Sequence, residues 1–202
     1  RLITNKELRM SCQLLGNVLN PRVIVIGVFH GDEPQGECLI NKYIQKKKVS
    51  NLLFIPRLND SSNRVNHNGV DLNRNFPTKN WELTTKDEFF GGDYPASEKE
   101  TRFVIETVEK YNPHLILTLH APFKIVNYDG DQDWGISLVN KISEIMKYPV
   151  EPSIGYPTPG SFGTWAGLEK KIFTITLELD ENVCVEDLAA PVFEVFDLLE
   201  GI

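Results

Sequence analysis

The sequence predicts an α/β domain built on a mostly parallel, mixed twisted sheet with helices on both faces. Two observations carry this. Four short apolar runs, Val23 to Val28, Leu52 to Ile55, Leu115 to Leu119 and Ile172 to Leu177, are nearly continuous and rich in branched residues, as strands covered on both faces should be. Helical patterns lie between and after them, and strands alternating with helices give a parallel sheet. A chain of 202 residues suits one domain, 1–202, with one core.

The elements follow in order. Leu2 to Leu15 is read as an edge hairpin. Pro34 to Lys46 carries Cys38, Leu39, Ile40 and Tyr43 at helical spacing. Ser97 to Tyr111 opens with Ser97 and Glu100 as a capping box and repeats Val104, Ile105, Val108 and Tyr111. Trp134 to Tyr148 repeats Leu138, Ile142 and Ile145. A last helix is expected over Pro191 to Leu199, with Pro191 near its first turn. Two long polar stretches, Asn59 to Gly92 and Ala121 to Asp133, are read as functional loops, because a compact domain seldom tolerates connectors of that length.

Bulk composition narrows the function. The formal net charge is −7, which argues against nucleic acid or an anionic membrane as main partner. The apolar runs are too short to span a bilayer. Cys12, Cys38 and Cys184 are widely spaced and form no metal or disulfide pattern, which fits a reducing compartment. No apolar leader segment stands at the start, so a cytoplasmic location is expected.

The first strand runs into His30-Gly31-Asp32-Glu33-Pro34. A catalytic zinc site takes three protein ligands from histidine and carboxylate and keeps one position for water. His30 and Glu33 follow the carboxyl end of a strand, where open α/β sheets bind their ligands. Leu115 to Leu119 runs into His120, which supplies a third ligand from another strand end. The competing reading is an ordinary polar turn plus a satisfied core histidine. Glu178 ends the fourth strand; a carboxylate there needs a partner or a task. It is either a base beside a metal or half of a buried salt bridge. His67 and His114 carry no such signal.

Residues 63 to 77, Asn63-Arg64-Val65-Asn66-His67-Asn68-Gly69-Val70-Asp71-Leu72-Asn73-Arg74-Asn75-Phe76-Pro77, hold two arginines and five asparagines. Guanidinium forks grip carboxylates, so the stretch reads as an anion pocket; the alternative is a solvated turn.

Taken together, the HxxE pair, Arg64 ahead of Asn73-Arg74, the strand-end His120 and the Thr-x-Thr-x-Glu-x-Asp setting of Glu178 resemble the zinc carboxypeptidase family, and their order fits it across nearly the whole chain. Within the family, the stretch Arg64 to Pro77, Leu119-His120-Ala121-Pro122, Tyr128-Asp129-Gly130 and Gly155 to Gly163 resemble the compact bacterial murein peptide amidases. The resemblance implies the zinc carboxypeptidase-like (phosphorylase/hydrolase-like) fold and one zinc ion held by His30, Glu33 and His120. It implies that Glu178 is the general base for the attacking water and that Arg64 stabilises the oxyanion. Asn73 and Arg74 would clamp the free carboxylate of the leaving residue, and Asp71 would orient His30. Tyr156, nine residues before Trp165, is spaced like the family's substrate-capping tyrosine, although a proline-rich turn explains it equally. Gly160 and Gly163 would line the pocket for the leaving side chain. The substrate implied is murein tripeptide, L-Ala-γ-D-Glu-meso-diaminopimelate, cut at the γ-D-glutamyl bond in cell-wall peptide recycling.

Two departures bear on specificity. Asn59-Asp60-Ser61-Ser62 replaces the family's Asn-Pro-Asp-Gly, and Ala121-Pro122 follows the second histidine where digestive members have Ser-Tyr. Digestive-type specificity is therefore not expected. Three other functions stay open: an N-acyl amino acid deacylase of the aspartoacylase or succinylglutamate desuccinylase type, a DL-carboxypeptidase acting on peptidoglycan, and a non-catalytic binding module. The retained ligands and base disfavour the last.

Overall fold

A computed structural model describes residues 12–151 and 156–202. It forms one six-stranded sheet: β1 (Leu15–Gly16), β2 (Val23–Gly27), β3 (Leu52–Ile55), β4 (Leu115–His120), β5 (Ile125–Asp129) and β6 (Phe173–Glu178), in the order β1-β3-β2-β4-β6-β5. β3, β2, β4 and β6 run parallel; the edge strands β1 and β5 are antiparallel to their neighbours. The sheet is thus mixed with a parallel centre, as the apolar runs predict. The expected hairpin over Leu2 to Leu15 lies almost wholly outside the described residues; its last residue opens the short β1.

Strand alternation sends side chains to two separate cores. Val23, Val25, Leu115 and Leu117 face α1 (Gln35–Lys46), α3 (Asp133–Met146) and α4 (Val185–Glu200) through Leu39, Tyr43, Ile142 and Phe196. Ile24, Ile26 and Ile116 face the other way, onto Val104 and Val108 of α2 (Lys99–Tyr111) and onto Phe162 and Trp165. Trp165 belongs to a π-helical stretch, Thr164–Glu169.

Three expectations need correction. Ser97 and Glu100 form no capping box: α2 has no side-chain cap, and Ser97 Oγ instead donates to Glu98 Oε1 at 2.8 Å. The last helix begins at Val185, so Pro191 sits in its interior. Glu186 and Asp187 in the first turn favour that earlier start, because acidic groups offset the exposed N–H ends there. Finally, the stretch after His120 is not all loop, since β5 pairs with β6 along five residues. Its polar Asn127 and Asp129 disguise it as loop in the sequence.

The chain order around β2 creates the site. β3 lies on one side of β2 and β4 on the other. Such a reversal opens a crevice beyond the carboxyl ends of the strands. His30 follows β2 there, and His120 and Glu178 are the last residues of β4 and β6.

Candidate active site

β2 ends with a sharp change of direction. Val28 has φ 54°, a left-handed conformation rare for a branched residue. The turn carries Phe29 into the second core and swings His30 back over the sheet end. His30 is buried, with Nδ1 3.0 Å from Glu33 Oε1 and Nε2 2.9 Å from Asp71 Oδ1. Glu33 reaches His120 with its other oxygen, which lies 3.3 Å from His120 Nδ1. The Ala121 amide also donates to that oxygen at 3.2 Å. Phe29 stacks on the His120 ring, with centroids 5.4 Å apart, and fixes its plane.

Ligand atoms of His30, Glu33 and His120 therefore all lie within 4.8 Å of one another. The donor set fits zinc: two imidazole nitrogens and one carboxylate, with room for water. A second feature agrees. Glu178 Oε2 is buried with no hydrogen-bond partner, beside this cluster, an expensive arrangement unless a ligand completes it. Burial pushes the Glu178 carboxyl above the ordinary range, against the partial offset of His120. Without a cation between them, burial opposes charge on His30, but Asp71 and Glu33 outweigh it and raise its pKa to about 9.

Asp71 is fully buried and is the hub of the anion-pocket stretch. Its Oδ1 meets His30 and also accepts the Asn73 amide at 2.9 Å, capping the short 3₁₀ turn Leu72–Arg74. Its Oδ2 accepts Arg64 Nε and Nη2 at 3.1 and 2.9 Å. Burial opposes the charge on Asp71, yet His30, Arg64 and Arg74 hold its pKa down near 2. Neither Arg64 bond uses Nη1, and the guanidinium carbon stands 4.8 Å from the Phe89 ring centre. Arg64 is thus oriented on two sides while it lines the cavity.

Arg74 is buried with its guanidinium in the cavity wall; Nη1 donates to the Asn73 carbonyl at 2.8 Å. Burial lowers its pKa, and Asp71 and the Tyr156 hydroxyl work against that. Asn73 Oδ1 accepts the Phe162 amide at 2.9 Å, which ties the arginine turn to the opposite wall. Tyr156 is 40% exposed at the rim, its ring against Phe89.

The cavity enclosed by these groups is about 200 Å³. It gathers His30, Glu33, Arg64, Asn73, Arg74, His120, Tyr156, Gly163 and Glu178, all named from the sequence. Gly160 is not on its wall. It has φ +72°, and a Cβ there would stand 2.1 Å from the Arg74 carbonyl oxygen. Glycine at 160 therefore lets the backbone close on the Arg74 turn, which is a supporting role. Asp71 lies behind the wall, against His30.

Several wall residues escaped the sequence reading: Thr118, Thr176, Asn127 and Asp129. Thr118, Thr176 and Asn127 sit two residues before a strand end, and Asp129 ends a strand that the sequence does not show as one, so the strand-end signal misses all four. Asn75 also passed unnoticed. Its side chain donates to the Gly91 carbonyl and Ser97 Oγ and accepts the Glu98 amide, stapling the long loop beneath Arg74.

Comparison with known proteins agrees with this geometry. The chain is 32% identical to "Murein peptide amidase A" of Escherichia coli K12 over 127 residues, 57% of this chain and 50% of that protein. It is 29% identical to the protein of the same name from Vibrio campbellii over 185 residues, 79% of this chain and 70% of that one. The chain thus spans half the length of the E. coli relative it matches. Among solved structures, murein-tripeptide amidase from E. coli O157 superposes with a TM-score of 0.79 at 24% identity, covering 93% of this chain and 85% of that chain. Carboxypeptidase A from Helicoverpa armigera superposes with a TM-score of 0.69 at 14% identity, over 97% and 70%. These likenesses establish the shared fold. The zinc carboxypeptidase family model matches residues 56–185, a stretch that holds Arg64, Asp71, Arg74, His120 and Glu178, and this chain belongs to that family.

Proposed function

We propose that this chain is a zinc metallopeptidase that hydrolyses the γ-D-glutamyl–meso-diaminopimelate bond of murein tripeptide in cell-wall peptide recycling. The observation that carries the reading is the meeting of His30, Glu33 and His120 beside the unpartnered Glu178 oxygen, with Arg64 and Arg74 lining the same cavity. The names of the amidase relatives support the substrate.

In this reading His30, Glu33 and His120 hold one zinc ion. When bound, zinc supplies a Lewis acid that polarises the scissile carbonyl and acidifies a water molecule. Glu178 removes the proton from the attacking water and returns it to the leaving amine, and burial raises its pKa above the ordinary carboxylate range. Arg64, aligned by Asp71, points its remaining donor at the developing oxyanion. Arg74, with Asn73 holding its turn to the Phe162 amide, receives the free carboxylate of the leaving residue. Tyr156 closes over the occupied cavity. Asp71 keeps His30 in one orientation.

No helix among the described residues is long and apolar enough to cross a membrane. No disulfide joins the described cysteines, and Cys38 and Cys184 are free thiols, which supports a cytoplasmic setting. The test is direct. Zinc-loaded protein is incubated with L-Ala-γ-D-Glu-meso-diaminopimelate, with and without chelator, and free diaminopimelate is followed by mass spectrometry. Chelator-sensitive release is expected. Absence of release, with N-acetylaspartate or N-succinylglutamate hydrolysed instead, would overturn the proposal.

A further inference from the structure

Arg64 has a task that depends on direction, yet residues 61–65 belong to no helix or strand. Asp71 and Phe89 hold its guanidinium at the far end of the side chain. The near end must be held as well, because a long side chain on a loose backbone carries its fork to many places. The group that holds it is the hydroxyl of Ser61, a residue with no role so far. Ser61 belongs to Asn59-Asp60-Ser61-Ser62, the stretch where this chain departs from the family pattern.

Ser61 is buried, and its hydroxyl bonds the backbone on both sides of Arg64. It donates to the Val65 carbonyl at 2.6 Å and accepts the Asn63 amide at 3.2 Å. The Asn63 carbonyl, at 3.1 Å, is a second acceptor within its reach. An ordinary serine turn accounts for the Asn63 amide alone, since such turns bond the backbone two residues on. The Val65 bond is shorter and reaches past Arg64 to the residue beyond it. One short side chain therefore brackets the arginine, whose own carbonyl accepts Asn59 Nδ2 at 3.1 Å.

The bracket is anchored to the rest of the site. The Ser61 amide donates to Asn59 Oδ1 at 3.0 Å, and the Ser61 carbonyl accepts Arg57 Nη1 at 3.2 Å. Arg57 is in turn held by Glu37 of α1 at 2.6 Å. Asn59 is fully buried, and its Nδ2 also donates to the Phe29 carbonyl, one residue before His30, at 3.2 Å. The Gly31 amide donates to the Asn63 carbonyl at 2.8 Å. A side chain on Gly31 would collide with the Ser61 carbonyl oxygen, so the two segments touch backbone to backbone. The loop that carries Arg64 is thus joined to the turn that carries His30 and Glu33.

We infer that Ser61 is a positioning residue: its hydroxyl fixes the backbone on both sides of Arg64 and so aims the guanidinium at the oxyanion that develops beside the His30 turn. The kinetic consequence rests on the peptidase reading; the placement of Arg64 does not.

The experiment compares zinc-loaded wild-type protein with Ser61→Ala, and uses Ser61→Cys, which fills the space with a weak donor, if the alanine variant does not fold. One arm needs no turnover. Hydrogen exchange of the Arg64 Nε–H, assigned in nitrogen NMR spectra by its absence from Arg64→Lys, should be about tenfold faster or more without the hydroxyl. The other arm follows diaminopimelate release from L-Ala-γ-D-Glu-meso-diaminopimelate. There kcat should fall about 10- to 100-fold, with KM within about threefold and zinc per chain unchanged. Arg64→Lys keeps a cation but loses the fork, and adding Ser61→Ala to it should cost little more than Arg64→Lys alone, because both changes remove the same effect. Losses that instead multiply in the double variant mean that Ser61 serves the fold and not Arg64, which overturns the inference. So does a Ser61 variant that keeps the wild-type kcat, or one whose Arg64 exchange is unaltered. If wild-type protein cleaves no peptide, the peptidase reading fails, and the exchange arm alone decides whether Ser61 places Arg64. If wild-type protein releases diaminopimelate and the Ser61 variants match it, the reading stands and the inference fails.

Discussion

His120 and Glu178 are register partners on β4 and β6, so an imidazole and a carboxylate leave the carboxyl end of the sheet side by side. One ligand position and the base thereby share a rigid frame rather than a loop. Glu178→Gln preserves the shape and the neighbours of that side chain but removes its basicity. Zinc bound per chain should stay unchanged while kcat falls by about 10²- to 10⁴-fold. Metal analysis and steady-state kinetics on the same preparation check this; full turnover by the variant would remove Glu178 as base.

Asp71 accepts from His30, Arg64 and the Asn73 amide at once. Asp71→Asn weakens all three and leaves Arg64 short of its counter-charge. Zinc affinity, measured by competition with a chromophoric chelator, should fall about 10- to 100-fold. Unaltered affinity would show that His30 needs no support from behind.

Arg74 is buried in the cavity wall, and carboxylate recognition there should be strongly discriminating, because unmet partners are costly. Arg74→Ala should raise KM about 50-fold or more for substrates with a free terminal carboxylate. On carboxyl-blocked substrates the change should be small. Equal losses on both would mean that the guanidinium serves the fold and not the substrate.

In metal-free protein the His30 pKa is raised from an ordinary 6.5 to about 9. The sign follows from linkage. A raised folded-state pKa contributes stability below 6.5, and that stability is lost as pH rises through about 9. Chelator-treated protein should therefore lose on the order of 3 kcal/mol between these limits in urea titrations. Zinc-loaded protein should not follow that slope, because a coordinating histidine is already neutral. Identical pH profiles with and without zinc would contradict the pairing of His30 with Asp71 and Glu33.

Legibility from sequence followed exposure. β2, β3, β4 and β6 are covered on both faces and read as continuous apolar runs. β5 is an edge strand with Asn127 and Asp129 turned to the cavity, and its polar positions hide it. The start of α4 was obscured by Pro191, because local propensity outvoted a packing interface set by Leu188, Val192 and Phe196. His30, His120 and Glu178 were legible because a polar group at the end of an apolar strand is conspicuous. Asp129 was not, since nothing in the chain marks a lone carboxylate as lacking a partner; only the fold reveals that Gly163 and Gly167 close around it. Gly160 shows the opposite error: a glycine near the pocket in sequence, but one that serves the Arg74 backbone.

The central claim is that His30, Glu33 and His120 bind one divalent ion within reach of Glu178. Anomalous diffraction at the zinc edge, on crystals of zinc-loaded protein, tests it most directly. The account predicts a single strong peak among those three side chains, next to the Glu178 carboxylate. No peak there, or either imidazole turned away from it, would contradict the account.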